Sequence, residues 1–486
     1  MEQQQTRTSA IMEALRQRIA TRALVPGDRL PSIRQFARTM QASPSTIVQA
    51  YDRLAAEGVI APRQGSGFYV TGRALPPLSL VDATTPAARA IDPFWVSRQS
   101  LDADLTVLKP GCGWLPTEWM PNNALRKAFR AVARGGSNTL SEYGSTRGAL
   151  RLRRLLASQF ATDGLIISPD QVLLAGSGTQ AVDLICRLLV RRGDTVLVDD
   201  PCYFNFQALL RAHEIRIVGV PYTATGPDTE AFERIVRQEK PRLYITNSVL
   251  HNPTGATLSP QTAFRLLSIA AASDLLIVED DIFTDFETTP SPRLAVMDGL
   301  EHVIRIGSFS KALSASVRCG YIAARQDLIE GLIDLQVATS FGGPSPVITE
   351  VVADVLEGGN YRKHMLEIQR RLEKSRKTVM QNLETLGILP WIVPKGGFYL
   401  WCRLPDGQDS TQIALRSLAD KIIHAPGNVF SVSQSAASFM RFNVTQCADE
   451  KIFHSLAKIL ADPNLQPLPT PSVRFGLACD TSHHAG

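Results

Sequence analysis

Cysteine is sparse and unpatterned in this 486-residue chain. The seven residues, Cys112, Cys186, Cys202, Cys319, Cys402, Cys447 and Cys479, are odd in number and form no C-x-x-C pair. That argues against a zinc or other metal site and against a disulfide framework, and for a reducing compartment. Long apolar runs are missing too: the nearest, Leu266 to Val278, is short and carries Asp274, so no membrane-spanning helix and no membrane partner are expected. The opening Met1-Glu-Gln-Gln-Gln has no signal-peptide pattern, which leaves a cytoplasmic protein as the expectation. Lysine is absent from residues 1–72, yet that segment holds nine arginines against five acids, a net +4, while the remaining 414 residues share only +1. A small basic segment joined to a large near-neutral body suggests a polyanion-binding module with a separate sensor or enzyme.

What is present begins with helical periodicity. Ile11, Leu15 and Ile19 form one apolar stripe, and a break follows at Pro26-Gly27-Asp28. Ile33, Phe36, Ala37 and Met40 then repeat at helical spacing after Ser32, a candidate N-cap. A third helix starts at Ser43-Pro44, cap followed by N1 proline, and turns Ile47, Ala50, Tyr51 and Leu54 inward. Val59-Ile60 and Phe68-Tyr69-Val70 flank a glycine-tipped hairpin at Arg63-Gln64-Gly65-Ser66-Gly67. The order reads as a winged helix-turn-helix. Leu30-Pro31-Ser32-x-Arg34, Ser43-x-Ser45-Thr46, Tyr51-x-x-Leu54-x-x-Glu57-Gly58 and Arg63-x-Gly65-Ser66-Gly67 make the segment resemble the GntR family of bacterial repressors. The resemblance implies that Arg34, Ser43, Ser45, Thr46, Arg63 and Gly65 face an operator in double-stranded DNA. Hydroxyls at a helix N-terminus and an arginine on a wing suit phosphate and groove contacts. Pro44 stands where that family often has arginine.

Residues 73–103 hold Pro76, Pro77, Pro86 and Pro93 among alanines and threonines and read as an irregular linker, with Ile91 to Trp95 able to anchor its far end. From about residue 104 apolar runs alternate with helical stretches. Val172–Ala175, Thr195–Val198, Arg242–Ile245, Leu275–Val278 and Val303–Ile306 read as buried strands. Such alternation means an α/β fold with a largely parallel sheet, whose ligands bind at the carboxyl ends of the strands.

The turns after those strands carry the chemistry. Gly176-Ser-Gly-Thr-Gln180 lets backbone amides and a helix N-terminus approach an anion. Asp199-Asp-Pro-Cys-Tyr203 offers an aromatic face to a planar ring, His251-Asn-Pro-Thr-Gly255 an amide side chain, and Glu279-Asp280-Asp281 a carboxylate. Ser308-Phe-Ser-Lys311, with Arg318 seven residues on, places an amine among hydroxyls and a guanidinium, the arrangement for a Schiff base with an aldehyde cofactor beside a bound anion. In this order the motifs resemble the fold-type I aminotransferases, which use pyridoxal 5'-phosphate. That resemblance covers residues 104–462 and implies a PLP-dependent transferase domain with a smaller C-terminal α+β subdomain. It assigns the covalent attachment to Lys311, the ring nitrogen to Asp280, the ring oxygen to Asn252 and ring stacking to Tyr203. Gly178, Thr179, Ser308, Ser310 and Arg318 are assigned to the phosphate. Tyr143 would reach the phosphate of a partner subunit, which implies a homodimer, and Arg441 would bind an amino acid's α-carboxylate. Lys395–Trp401 and Pro426–Phe430 are further landmarks of the same resemblance.

The sequence departs from that pattern at Phe283, where these enzymes commonly carry a tyrosine; a phenyl ring cannot donate the hydrogen bond that supports turnover. Residues 463–486 lack periodicity and read as a mobile tail, with His483-His484 a chance pair. A winged helix ahead of an aminotransferase-like body resembles the MocR subgroup of GntR regulators. The implied function is a DNA-binding transcription regulator whose second domain holds pyridoxal 5'-phosphate and senses a small amino compound or the cofactor itself. The alternative is a catalytically active aminotransferase carrying a DNA-binding domain.

Overall fold

The computed structural model describes residues 7–20, 24, 28–63, 66–71, 93–104, 106–135, 138–405 and 408–462. They form two compact units, divided between residues 89 and 90. No described helix is long and apolar enough to cross a membrane. The expected break at Pro26-Gly27 and the expected tail lie outside the described residues, as do Gly65 and most of the expected linker.

In the first unit three helices, α1 (Arg7–Ala20), α2 (Ile33–Thr39) and α3 (Pro44–Ala56), precede a two-stranded wing, β1 (Ile60–Arg63) and β2 (Gly67–Val70). The caps are those the sequence implied. Ser32 Oγ accepts from the Gln35 amide at 3.3 Å, and Ser43 Oγ from the Thr46 amide at 3.2 Å with Pro44 behind it. Each such cap contributes about 1 kcal/mol. Ile11, Leu15, Phe36, Ile47, Tyr51 and Leu54 meet in one core. Tyr51 stays in it because its hydroxyl donates to the Pro31 carbonyl at 2.9 Å, so burial leaves no orphaned donor. The wing is antiparallel, Ile60 opposite Val70 and Arg63 opposite Gly67.

The second unit is built on eight strands: β3 (Val172–Ala175), β4 (Thr195–Asp200), β5 (Arg216–Thr223), β6 (Gly226–Pro227), β7 (Leu243–Thr246), β8 (Leu276–Asp280), β9 (Val303–Ser308) and β10 (Gly320–Ala323). Their order is β3-β10-β9-β8-β7-β4-β5-β6. Neighbours from β9 through β5 are parallel, β10 runs against both of its neighbours, and β6 runs against β5. The strands β3, β7 and β10 are buried along their whole length, as strands covered by helices on both faces must be. A second sheet, β11 (Leu389–Pro390), β12 (Tyr399–Arg403), β13 (Ala425–Pro426) and β14 (Phe439–Asn443), is antiparallel in the order β11-β12-β14-β13. With the helices Asn360–Glu384, Ser410–Ser417 and Lys451–Leu460 it makes the smaller α+β subdomain.

One boundary needs correction. Residues 93–102, expected as the end of an irregular linker, form a helix, Pro93–Asp102. Proline is tolerated in a helix's first turn, and burial of Trp95 and Val96 against Phe204, Trp401 and Phe430 fixes the helix on the second unit.

Candidate functional site

The carboxyl ends of β3, β4, β7, β8 and β9 converge on one cavity of about 300 Å³. Gly178, Thr179, Tyr203, Asn252, Asp280, Ser310, Lys311, Arg318 and Arg441 all border it. Turns separated by more than 130 positions in the chain, from Gly178 to Lys311, thus meet because parallel strands point their ends to one side, and Arg441 joins them from β14 of the second sheet.

Lys311 follows β9, and its Nζ donates to the Gly113 carbonyl. Burial, helped by the nearby Arg441 guanidinium, pushes its amine down to about 8, toward the neutral form that attacks a carbonyl. Asp280 ends β8 and is 8% exposed. Among the described residues its Oδ1 accepts only from the Ile282 amide, at 3.2 Å. Burial raises its carboxyl to about 7, against the opposing Ile282 amide, and the charge of Asp281 adds to the rise. A buried carboxylate with one weak donor is chemically suited to a protonated ring nitrogen.

The anion cradle lies on the next turns. Helix Gly178–Leu189 begins with Ser177 as its cap, accepting from the Gln180 amide at 3.0 Å. Gly320 lets this turn sit against β10, since a Cβ there would stand 2.9 Å from the Ser177 carbonyl carbon and 2.7 Å from the Gly307 oxygen. Ser308 lies buried beneath the cavity rather than on its surface, its hydroxyl 2.6 Å from that of Ser310. Asn205 Nδ2 donates to Thr179 Oγ1 at 3.3 Å. Arg318 is exposed to the cavity and, among the described residues, pairs with no carboxylate.

Arg441, on β14, is 1% exposed. Its Nη1 donates to Asn252 Oδ1 at 2.8 Å and its Nη2 to the Gly111 carbonyl at 2.6 Å. Its guanidinium carbon lies 4.2 Å from the Tyr399 ring centroid and 4.7 Å from that of Phe430. Among the described residues Nε has no hydrogen-bond partner, and the guanidinium makes no ion pair with a carboxylate. A buried cation held by neutral groups is chemically suited to a carboxylate.

Phe283 is buried with its ring edge-on to Tyr399, centroids 5.6 Å apart. It supplies no hydroxyl, but Tyr399 brings one near. A Cβ on Gly113 would lie 3.1 Å from Tyr399 Oη and 3.6 Å from Lys311 Nζ, so phenol and amine flank one point. The motif Lys395–Trp401 contained this tyrosine; strand alternation along β12 was the available signal for its inward face. Asn247, which donates to the Asp280 carbonyl, and the helix Pro93–Asp102, which lends Val96, Ser100 and Leu101 to the cavity, also went unrecognised in the sequence. Together the amine, the acid, the anion cradle and the aromatic faces fit pyridoxal 5'-phosphate. Tyr143 is not brought to this cavity; it is 82% exposed, its ring 5.0 Å from that of Phe341.

On the first unit Arg34, Ser43, Ser45 and Arg63 are exposed and Thr46 is half-buried. The Ser43 hydroxyl lies 2.8 Å from that of Ser45 and 2.7 Å from that of Thr46, so it caps α3 while presenting a cluster of hydroxyls to solvent. The Arg63 guanidinium stands 4.4 Å over the Tyr69 ring.

The family model described as "Aminotransferase class I and II" matches residues 115–459, and "Bacterial regulatory proteins, gntR family" matches residues 7–70. The chain is 28% identical to the HTH-type transcriptional regulator YdcR of Escherichia coli (strain K12) over 445 residues, 89% of this chain and 94% of that protein. It is 25% identical to the HTH-type transcriptional regulator NorG of Staphylococcus aureus (strain USA300) over 446 residues, 89% and 98% of the two chains. Among solved structures it resembles the Pyrococcus horikoshii kynurenine aminotransferase, with a TM-score of 0.70 at 23% identity, covering 79% of this chain and 97% of that one. It also resembles LysN, the alpha-aminoadipate aminotransferase of Thermus thermophilus, with a TM-score of 0.67 at 23% identity over 75% and 92% of the chains.

Proposed function

The chain belongs to the aminotransferase class I and II family and carries a gntR-family unit ahead of that domain, and on this premise we propose that it is a transcription regulator of the MocR type, whose second unit senses a small amino compound through pyridoxal 5'-phosphate. The observation that carries the reading is the pairing, in one cavity, of a depressed amine at Lys311 with a buried guanidinium at Arg441 that forms no ion pair with a described carboxylate. One holds an aldehyde cofactor; the other recognises the carboxylate of an amino acid.

When bound, the cofactor supplies an electrophilic carbon that exchanges amines reversibly. Lys311 would hold it covalently, Asp280 its ring nitrogen and Asn252 its ring oxygen. Tyr203 would stack on the ring, while Gly178, Thr179, Ser310 and Arg318 would hold the phosphate, with Ser308 positioning the Ser310 hydroxyl from beneath. Arg441 orients the ligand's carboxylate, and the Gly113 carbonyl is an acceptor for the Lys311 amine when it is free. The first unit would bind operator DNA through Arg34, Ser43, Ser45, Thr46, Arg63 and Gly65. The exposed Tyr143–Phe341 pair supports a homodimer in which Tyr143 serves the second copy's site. The protein would act in the cytoplasm.

The test is DNA affinity, read by fluorescence anisotropy on the promoter region of the adjacent genes, with and without a mixture of amino compounds. Wild-type chain loaded with cofactor should shift its affinity; Lys311→Ala should bind DNA without responding. A response in Lys311→Ala equal to wild type overturns the proposal. A second reading, a working aminotransferase with a DNA-binding unit, is favoured by the coexistence of Lys311, Asp280 and Arg441 in one cavity. Sustained multiple turnover with an amino acid and a keto acid, at roughly 1 per second or faster, would select it.

A further inference from the structure

We infer that Tyr399 is a catalytic residue of this site: its phenol relays the proton that must pass between nitrogens when a ligand amine takes the place of Lys311. The inference rests on the amine-sensing role proposed above and assigns a further residue to it. Tyr399 lies on β12 and is 4% exposed. Phe283, Phe398 and Arg441 of the same chain pack around its ring, so its surroundings are the chain's own. The Arg441 guanidinium carbon stands 4.2 Å from the ring centroid. At the other end of the side chain, a Cβ on Gly113 would meet Tyr399 Oη at 3.1 Å and Lys311 Nζ at 3.6 Å. Hydroxyl and amine thus lie on either side of the space that this glycine leaves open. A ligand with its carboxylate on Arg441 and its amine at Lys311 spans this one side chain, and its nitrogen arrives beside the phenol.

The hydroxyl is uncommitted. Among the described residues it makes no hydrogen bond, while Lys311 Nζ rests on the Gly113 carbonyl. Burial pushes the phenol well above its ordinary value, against the opposing charge of Arg441, so it keeps its proton at neutral pH. A protonated phenol donates and accepts at once. In the exchange the arriving nitrogen gives up one proton and the departing Nζ gains one. Tyr399 Oη accepts the first while its own proton goes to Nζ, and the phenol ends as it began. Phe283, edge-on to Tyr399 with centroids 5.6 Å apart, has no hydroxyl to take this part.

The experiment mixes the cofactor-loaded full chain with L-alanine, L-phenylalanine, L-glutamate or L-lysine and follows the cofactor band by stopped flow. Tyr399→Phe keeps the ring under Arg441 and loses only the hydroxyl. It should slow the band change by roughly a hundredfold, the lower end of the range for a positioned acid–base group. The equilibrium affinity for the same amino acid should not change, because a relay speeds both directions alike. In the cofactor-free chain, acetylation of Lys311 by acetic anhydride, read by mass spectrometry, should run at the wild-type rate, since it depends on the free amine alone. An unchanged exchange rate in Tyr399→Phe overturns the inference. So does slowing matched by an equal loss of affinity, which makes Tyr399 a ligand contact, or by slowed acetylation, which makes it a support of Lys311. Each of these outcomes leaves amine sensing in place. A wild-type band that none of the four amino acids moves overturns the sensing role and the inference together.

Discussion

Replacing Asp280 with asparagine should stabilise the cofactor-free protein and weaken its hold on the cofactor. In the folded chain the Asp280 carboxyl is raised by burial to about 7 from its ordinary 3.8. Between those values the folded state keeps a proton that the unfolded chain has lost, so stability is full below the ordinary value and falls as pH rises through 7. At about 1.36 kcal/mol per unit the whole penalty is about 4 kcal/mol, of which about 2 kcal/mol falls between pH 5.5 and pH 7. Asparagine has the same shape, still accepts from the Ile282 amide, and carries no charge to bury. Lys311 works in the opposite direction: its amine is lowered to about 8 from 10.5, so its penalty is full below 8 and relieved as pH rises above it. The cofactor-free wild type should therefore be least stable near pH 7 to 8, and Asp280→Asn should remove the acid-side slope. The assay is urea unfolding of cofactor-free wild type and Asp280→Asn at pH 5.5, 6.5, 7.5 and 8.5. The stability gap should widen by about 2 kcal/mol from the lowest pH to 7.5 and then level off. A gap that does not change with pH refutes the reasoning, because a carboxylate that is not ionised against its burial cannot produce it. The same variant should bind pyridoxal 5'-phosphate more weakly, since the ring nitrogen loses its charged partner.

Arg441→Leu should leave the cofactor band intact and weaken amino acid binding by roughly ten- to a hundredfold, the worth of a charge-assisted fork; no acid is orphaned, because none pairs with Arg441. Spectral titration checks it, and unaltered affinity would show that the carboxylate binds elsewhere. Phe283→Tyr should move the titration midpoint of the cofactor band down by about one unit, the effect of one hydrogen bond to the ring oxygen. It should also raise turnover with an amino acid and a keto acid. A midpoint that stays put would mean that Tyr399, edge-on to Phe283, already supplies the polarity of that corner.

The parallel strands were legible in the sequence because burial on both faces leaves an unbroken apolar run, as in Leu243–Ile245 of β7. The strand β5 was not: Gly219 and Pro221 interrupt it, and its ends, Arg216 and Thr223, are exposed near the sheet's edge. Nor was β10, four residues long and antiparallel between β3 and β9, since strand order is a product of packing and not of local pattern. The turn motifs at the strand ends were legible because each needs particular residue types for its geometry. The contributions of Tyr399 and of the helix Pro93–Asp102 were not, since both depend on where the second sheet closes over the first. The prolines before residue 93 extended the apparent linker into that helix, although a proline at a helix's first turn is neutral to it.

That helix has a mechanical consequence. Its first residue is the first described residue of the second unit, and its other end, at Ser100 and Leu101, borders the cavity. The start of the described second unit and the cavity's border are therefore two ends of one rod of ten residues, about 15 Å long at 1.5 Å per residue. Trp95 and Val96, buried against Phe204, Trp401 and Phe430, pin one end of that rod, so the packing that seats it also fixes where Ser100 and Leu101 stand at the cavity.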